Sequence, residues 1–197
     1  MKIPDYCFLR HGQTAYNYAG ILHGQLDSEL TELGKRQAAK QGKLLKKLGL
    51  PSHTLIYSSP LGRAVATAEI IKSYCSFSIK TDQNLSEVMM GEWQGKTWDD
   101  IGLNSLKSFP KSLTKFEASL MAPKGESFRD LQFRTKIFLS KISTPTIIVA
   151  HGVILNILRA EICNLSFPEM SHLSQNQGEV FAVRNGQEFN LNSVKLN

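Results

Sequence analysis

The sequence has no apolar run that approaches the roughly 20 residues needed for a membrane-spanning helix. Residues 1–5 also lack the apolar stretch of a secretory signal. Cysteine is scarce, because the chain carries only 3, widely spaced among apolar neighbours: Cys7, Cys75 and Cys163. An odd number of separated cysteines is typical of free thiols in a reducing compartment. We therefore expect a cytoplasmic protein with buried free thiols and no membrane partner.

Metal-ligand spacing of histidine, cysteine and aspartate is also missing, so we expect no metal and no cofactor. The net charge is +6, and a predicted helix after Thr31 carries part of it: Lys35, Arg36, Lys40, Lys43, Lys46 and Lys47. A nucleic-acid-binding stripe normally brings a recognition motif or interleaved aromatic residues, which this helix lacks. We interpret it as a solvated helix face and expect no nucleic-acid partner. A modest basic excess also suits small anionic substrates.

Short apolar runs alternate with helical patterns along the chain. The apolar runs predict strands at 6–10, 55–57, 78–81 and 146–150. Helical spacing predicts helices at 31–48, 61–74, 127–142 and 152–163. Asn185-Gly186, between apolar runs at 179–184 and 189–194, indicates a hairpin. This order predicts an α/β fold of three layers, with a mainly parallel central sheet and helices on both faces.

No linker, repeat or low-complexity tract divides residues 1–197, so we predict a single domain. The stretch at about 92–126 is less regular and holds several glycines, prolines and lysines, together with four aromatic residues: Trp93, Trp98, Phe109 and Phe116. We interpret it as a partly helical insertion that overhangs the functional site. A homodimer stays open, because the sequence identifies no surface patch.

Two His-Gly pairs each follow a predicted strand. Arg10-His11-Gly12 comes at the end of the first run, and His151-Gly152 follows the run at 147–150. In open α/β sheets ligands bind at the carboxyl edge, where both histidines should lie. The arginine beside the first histidine suits an anion, so the pattern indicates a phosphate-handling site.

Four local patterns occur in a fixed order: 10–17, 58–68, 85–95 and 149–152. With these patterns the chain resembles the histidine phosphatase superfamily, the phosphoglycerate-mutase-like proteins, and in particular its small phosphatases. The resemblance covers most of the chain. Gly125-Glu126-Ser127 is similar to a segment of the family's phosphatase branch, although a turn followed by a helix cap would give the same residues.

The resemblance implies three catalytic roles. His11 would be the nucleophile and form a phosphohistidine, while His151, cationic in the loaded site, would stabilise the transferring phosphoryl group. Glu87 would protonate the leaving oxygen and then activate water. Glu92 is a rival acid, but the family's spacing to the neighbouring Gly91 selects Glu87.

The residues themselves suggest how a phosphate is held. Arg10 and Arg63 offer two planar forks for its oxygens, and Gly12 lets the chain turn closely past it. By resemblance, Asn17 should reach the phosphate or the substrate, and His23-Gly24 should line the pocket. Asn17 could equally be a turn residue or helix cap, and His23 an exposed loop histidine.

We therefore expect a metal-independent phosphomonoesterase that acts on a small phosphorylated metabolite. The alternatives are a cofactor-dependent phosphoglycerate mutase and a non-catalytic module that binds a phosphorylated ligand. By resemblance, mutases carry an arginine-rich insertion after the acidic motif, whereas this chain has lysines there and no arginine before Arg129. Gln13, Tyr16 and Gln94 depart from the family's frequent residues, which leaves the substrate in doubt.

Overall fold

The computed structural model describes residues 4–102, 110, 112–143 and 145–193. Within these residues six strands form one sheet in the spatial order β3-β2-β4-β1-β5-β6. The strands are β1 (Tyr6–Arg10), β2 (Leu55–Ser58), β3 (Ser78–Thr81), β4 (Thr146–Ala150), β5 (Phe181–Arg184) and β6 (Gln187–Asn190). The first four are parallel, and β5 runs antiparallel to both β1 and β6. The predicted mainly parallel sheet is confirmed.

Four long helices agree with the predicted ones to within about three residues at each end. They are α2 (Glu32–Lys47), α3 (Gly62–Cys75), α5 (Phe128–Leu139) and α6 (Gly152–Cys163). Their capping residues explain two of the starts, because the Thr31 hydroxyl accepts the N–H of Gly34 and the Ser127 hydroxyl accepts that of Asp130. Three short helices were not predicted as such: α1 (Ala15–Ala19), α4 (Lys115–Ser119) and α7 (Phe167–Ser171).

Apolar side chains bury both faces of the sheet. On one face, Phe8 and Ile148 pack in a cluster that includes residues of α5 and α6. On the other, Leu9 and Val149 pack in a cluster that includes residues of α2 and α3. Every residue of β4 is buried, as expected for a central strand. The helices therefore cover both faces, and the three-layer arrangement is confirmed.

The C-terminal hairpin differs in detail from the prediction. Its second strand begins at Gln187 instead of 189, because Asn185 and Gly186 take positive φ values of 50° and 72° and form a tight two-residue turn. Residues Leu191–Ser193 form a 3₁₀ turn, and Val194 lies outside the described residues. The prediction of a strand to 194 is therefore wrong at its end.

In the described residues of the irregular stretch at 92–126, helix occurs at α4 and in a 3₁₀ turn at Gly91–Trp93. Residues 103–109 and 111 of this stretch, with Phe109 among them, lie outside the described residues. All three cysteines are free, although only Cys7 is fully buried, and burial raises the pKa of its thiol to about 12. In the part of the chain that the structure describes, no helix is long and apolar enough to cross a membrane.

Candidate active site

Adjacent strands bring the two histidines to one edge of the sheet. In the parallel register of β1 and β4, Arg10 lies opposite Ala150, so His11 and His151 come next at equivalent positions. Their ring centroids are 5.1 Å apart, and both side chains are buried, with 2% and 0% of their surface exposed. Strand β2 flanks β4 on its other side and leads into α3, which carries Arg63 in its first turn. The carboxyl edge thus gathers residues from three separate parts of the chain.

A cavity of about 250 Å³ opens at this edge. Seven of the predicted site residues line it: Arg10, His11, Asn17, His23, Gly24, Arg63 and Glu87. The stretch at 92–126 also contributes to the lining, with Trp98, Lys115 and Ser119. A larger and more open groove, of about 680 Å³, lies against Arg63, Ala66 and Ile70 but is lined by no histidine. We therefore place the candidate site in the smaller cavity.

Two predicted residues do not line the cavity. His151 is buried beneath it, in contact with His11. Gly12 permits a close approach, but to another part of the backbone: a Cβ on this residue would lie 2.3 Å from the carbonyl oxygen of Gly34. Gly12 thus packs the chain after β1 against the start of α2. Its approach to a phosphate stays a prediction.

His11 is held in a single orientation. Its Nδ1 lies 2.8 Å from the carbonyl oxygen of Gly12, which can only accept a hydrogen bond, so Nδ1 carries the proton and Nε2 keeps its lone pair. Burial, with the positive charges of Arg10 and Arg63, holds the pKa of the imidazole well below its usual value. His11 is therefore neutral near pH 7, with Nε2 available as a nucleophile.

His151 has one partnered and one unpartnered nitrogen. Its Nε2 lies 2.7 Å from the hydroxyl oxygen of Ser59, whereas its buried Nδ1 has no hydrogen-bond partner among the described residues. Burial and the nearby charge of Arg63 hold its pKa well below the usual value. These surroundings keep His151 neutral, and the cationic form predicted for the loaded site requires an anion nearby.

The two arginines are anchored by backbone carbonyls. Arg10 donates from Nη1 to the carbonyl oxygen of Gln175 at 2.8 Å. Arg63 donates from Nη1 to Leu26 at 2.8 Å and from Nη2 to Gly24 at 2.9 Å. Burial lowers the pKa of both guanidinium groups, although arginine keeps its charge in proteins. These bonds fix the forks and leave other N–H groups of each fork free.

Buried atoms without partners concentrate at this site. Five buried side-chain nitrogen or oxygen atoms of the described residues lack a hydrogen bond, and three of them are Arg10 Nε, Arg63 Nε and His151 Nδ1. An unsatisfied buried polar group costs about 1–3 kcal/mol. The unpaired Nε–H groups belong to two arginines that line the cavity, and the unpaired imidazole nitrogen lies beneath it. This arrangement is suited to an anion with several oxygen atoms.

Glu87 reaches the same cavity from the segment after β3. Its Oε1 accepts N–H groups of Val88 at 3.0 Å and Ile154 at 3.3 Å, and its Oε2 accepts that of Val153 at 3.2 Å. Two of these donors belong to the first turn of α6, where the helix dipole favours negative charge. The contacts therefore hold the carboxyl group beside the cavity.

The rival acid, Glu92, does not line the cavity. Its carboxylate forms an ion pair with Lys124 at 2.7 Å, and half of its side chain is exposed. The structure therefore brings Glu87, and not Glu92, to the histidines and arginines.

Asn17 caps a helix and also lines the cavity. Its Oδ1 accepts the backbone N–H of Thr14 at 3.2 Å, which completes the capping box of α1. The same oxygen accepts Nε2 of Gln177 at 2.9 Å, and Gln177 also donates to the carbonyl oxygen of His11 at 3.1 Å. With Oδ1 occupied, the amide nitrogen is the group that Asn17 can offer to a ligand.

His23 is not the exposed loop histidine of the alternative interpretation, because only 8% of its surface is exposed. Its Nε2 lies 2.7 Å from the Thr14 hydroxyl oxygen, and burial together with the charge of Arg63 lowers its pKa to about 4. The adjoining loop is supported by Gln94, whose Oε1 accepts the backbone N–H of Gln25 at 2.8 Å.

Sequence reasoning missed several residues of the site. Ser59 lies inside the pattern at 58–68, so its hydroxyl could have been considered as a partner for a histidine. Gln175 and Gln177 lie in an irregular segment after α7, where no periodicity or motif marks them. Among the described residues, no group of three or more His, Cys, Asp or Glu is arranged to hold a metal ion.

Comparisons with known proteins agree with this geometry. A family model described as histidine phosphatase superfamily (branch 1) matches residues 6–194. The chain is 34% identical over 163 residues to a probable phosphoglycerate mutase, GpmB, of Erwinia tasmaniensis, covering 80% of this chain and 74% of that protein. It is 33% identical over 179 residues to glucosyl-3-phosphoglycerate phosphatase of Mycobacterium tuberculosis, covering 84% and 78%. A mycobacterial glucosyl-3-phosphoglycerate phosphatase solved in complex with VO3 superposes with a TM-score of 0.74 at 28% identity, over 90% of each chain.

Proposed function

The chain belongs to branch 1 of the histidine phosphatase superfamily, and on this premise we propose that it hydrolyses a small phosphorylated metabolite through a phosphohistidine on His11. The observation that carries the proposal is the neutral, oriented imidazole of His11 beside the unpaired, buried Nε–H donors of Arg10 and Arg63 and the unpaired Nδ1 of His151. These donors supply a binding site for phosphoryl oxygens, and the imidazole supplies the nucleophile.

The first step transfers the phosphoryl group to the enzyme. Nε2 of His11 forms a bond to phosphorus while the bond from phosphorus to the ester oxygen breaks, and that oxygen takes the proton of the Glu87 carboxyl group. A bound phosphate dianion adds negative charge near Glu87 and so favours the protonated carboxyl that this step needs.

The second step restores the enzyme. Water attacks the phosphohistidine, its proton passes to the Glu87 carboxylate, and the bond between Nε2 and phosphorus breaks to release inorganic phosphate. Through both steps Arg10 and Arg63 hold the equatorial oxygens, and His151 becomes protonated beside the anion and stabilises the developing charge. Asn17 donates from its amide nitrogen to the phosphate or the substrate.

The test is to trap the intermediate. The enzyme reacts briefly with an aryl phosphate, and the reaction is stopped without acid. We expect mass spectrometry to show one phosphoryl group on His11. Hydrolysis should persist in chelator and fall by about 10⁴-fold or more in His11→Ala, because the nucleophile is lost. His53→Ala, which removes an exposed histidine, is the matched control. Normal turnover by the His11 variant, or no activity on any phosphomonoester, would refute the proposal, and the latter would favour a non-catalytic binding module.

A mutase is the second candidate, favoured by the identity to a probable phosphoglycerate mutase. The absence of arginine between Glu87 and Arg129 supports hydrolysis instead. The two are separated by supplying phosphoglycerate with a bisphosphoglycerate cofactor: a phosphatase releases inorganic phosphate, whereas a mutase returns the isomeric phosphoglycerate. A panel of phosphorylated metabolites would then identify the substrate, whose selection we assign to Trp98, Lys115 and Ser119 at the cavity.

A further inference from the structure

An arginine outside the cavity binds the backbone of the proposed acid and of the residue three positions before it. Arg134, on α5, donates from Nη1 to the carbonyl oxygen of Asn84 at 2.6 Å and from Nη2 to that of Glu87 at 3.3 Å. Its Nε and Nη2 also bind the two carboxylate oxygens of Glu126 at 2.6 and 3.1 Å. Both side chains are largely buried, at 14% and 16% exposure, and neither lines the cavity.

Glu126 holds the same stretch of chain at a third point. Its backbone N–H donates to the carbonyl oxygen of Met89 at 2.8 Å, and its Oε2 accepts the N–H of Met89 at 3.3 Å. Gly125 is needed for this approach, because a Cβ there would lie 2.8 Å from the Met89 oxygen. Residues 84–89, here called the acid segment, are thus fastened at Asn84, Glu87 and Met89 by one ion pair.

The acid segment has little regular structure to fix it. Apart from the end of a 3₁₀ turn at Gln83–Leu85, it belongs to no helix or strand. The carboxyl of Glu87 must nevertheless stay within reach of both the α6 N–H groups and the cavity, and its contacts with α6 are already 3.2 and 3.3 Å long. A small shift of the Glu87 backbone would therefore move the carboxyl away from a leaving oxygen.

We propose that Arg134 and Glu126 are positioning residues that aim the Glu87 carboxyl at the leaving oxygen. The proposal rests on the proposed acid role of Glu87 and adds that this role depends on the ion pair behind the acid segment. It also gives Gly125-Glu126-Ser127 a function: Gly125 allows the approach, Glu126 binds Arg134, and Ser127 caps α5.

The test uses leaving groups of different basicity. A good leaving group departs without a proton, whereas a poor one needs the acid, so a misplaced acid slows only the poor ones. We expect Glu87→Gln to lose about 10²–10⁴-fold in kcat/KM with the most basic aryl leaving group and far less with the most acidic one. For Arg134→Ala we expect kcat/KM to fall about 10–100-fold with the most basic leaving group and less than about threefold with the most acidic one. The loss is smaller than in Glu87→Gln because the carboxyl is present but misplaced.

Matched variants separate positioning from general destabilisation. Lys136→Ala removes an exposed cation of α5, the helix of Arg134, whose ion pair with Glu161 of α6 is 3.8 Å long. We expect it to leave kcat/KM unchanged for every leaving group. Arg134→Lys keeps the charge without the fork and should recover part of the loss. In Glu126→Gln the loss of kcat/KM should depend on the leaving group as in Arg134→Ala, but the loss should be smaller. This variant replaces Arg134→Ala in the test if Arg134→Ala does not fold.

The outcomes distinguish the two proposals. An equal loss for all leaving groups in the Arg134 and Glu126 variants, beside a steep dependence in Glu87→Gln, would overturn the positioning role alone. If the loss of kcat/KM in Glu87→Gln were the same for all leaving groups, both the acid role of Glu87 and the positioning role would be overturned. Absence of a phosphohistidine in the trapping experiment would instead overturn the proposed phosphatase mechanism.

Discussion

The two sides of the cavity are built in different ways. His11 and His151 take their positions from the backbone register of two adjacent parallel strands, and Arg63 from the helix that comes after a third. Glu87, by contrast, lies in a segment without a strand or α-helix of its own. That segment is held by side chains from α5, from the loop before α5 and from the loop at residue 25, and by N–H groups at the start of α6. The side of the histidines and Arg63, here called the basic side, is therefore fixed by the sheet. The side of Glu87, the acidic side, depends in addition on side-chain contacts such as that of Arg134, which a single substitution can remove.

The largest effect should come from the basic side. Arg63→Lys keeps the charge but loses the fork and its Nε, so we expect kcat/KM to fall by about 10²–10³-fold. The fall should be equal for all aryl leaving groups, because phosphoryl charge must be stabilised whichever group departs. Arg129→Lys, at an exposed arginine, is the control. If Arg63→Lys lost activity with basic leaving groups alone, the two sides would not have the separate roles described above.

The basic side should also make stability depend on pH. The pKa values of His11 and His151 lie well below normal and that of His23 at about 4, chiefly because of burial. Below pH 6.5 the unfolded chain binds protons that these folded rings do not. The free energy of unfolding is therefore greatest above pH 6.5 and should fall on acidification by about 1.4 kcal/mol per pH unit for each histidine, until its folded-state pKa is passed.

Urea titrations between pH 7.5 and 4.5 measure this slope. In His23→Gln the slope of the free energy of unfolding against pH should be smaller by the contribution of about one proton between pH 6.5 and about 4. Inorganic phosphate should also make the slope smaller, because it favours the protonated rings. Arg134→Ala should leave the slope unchanged, because the histidines remain buried. An identical slope in the His23 variant would contradict the assignment.

A smaller effect is expected one contact away from the basic side. Ser59→Ala removes the hydroxyl that lies 2.7 Å from Nε2 of His151, and so loosens the ring without deleting it. We expect kcat/KM to fall on the order of tenfold, again equally across leaving groups. Ser73→Ala, at an exposed serine of α3, is the control. A loss as large as that of Arg63→Lys would mean that Ser59 itself touches the phosphate.

Backbone periodicity in the sequence was sufficient to predict the centre of the sheet and the meeting of the two histidines. The apolar runs predicted β1 and β4, and parallel pairing then required His11 and His151 to lie at one edge. Helix starts at Thr31 and Ser127 were readable because a capping hydroxyl has a local pattern.

The remaining parts of the site depend on side-chain directions that no local pattern carries. Arg134 is 47 residues from Glu87 in the sequence. Its hydrogen bonds to the acid segment require α5 to pack with one particular rotation about its helix axis. Gln177 joins His11 to Asn17 from an irregular segment, where neither spacing nor composition marks it. The close approach of Gly12 to Gly34 was also not predicted, because a glycine in the sequence does not reveal what lies opposite it.

The position of β4 also has a consequence for how the molecule is made. This strand lies between β1 and β2, yet it is synthesised about 90 residues after β2. Until residues 146–150 emerge from the ribosome, β1 and β2 have unpaired edges and nothing between them. Insertion of β4 joins the two halves of the sheet and places His151 beside His11 in one event, so a chain cut before Thr146 would have neither a continuous sheet nor a catalytic centre.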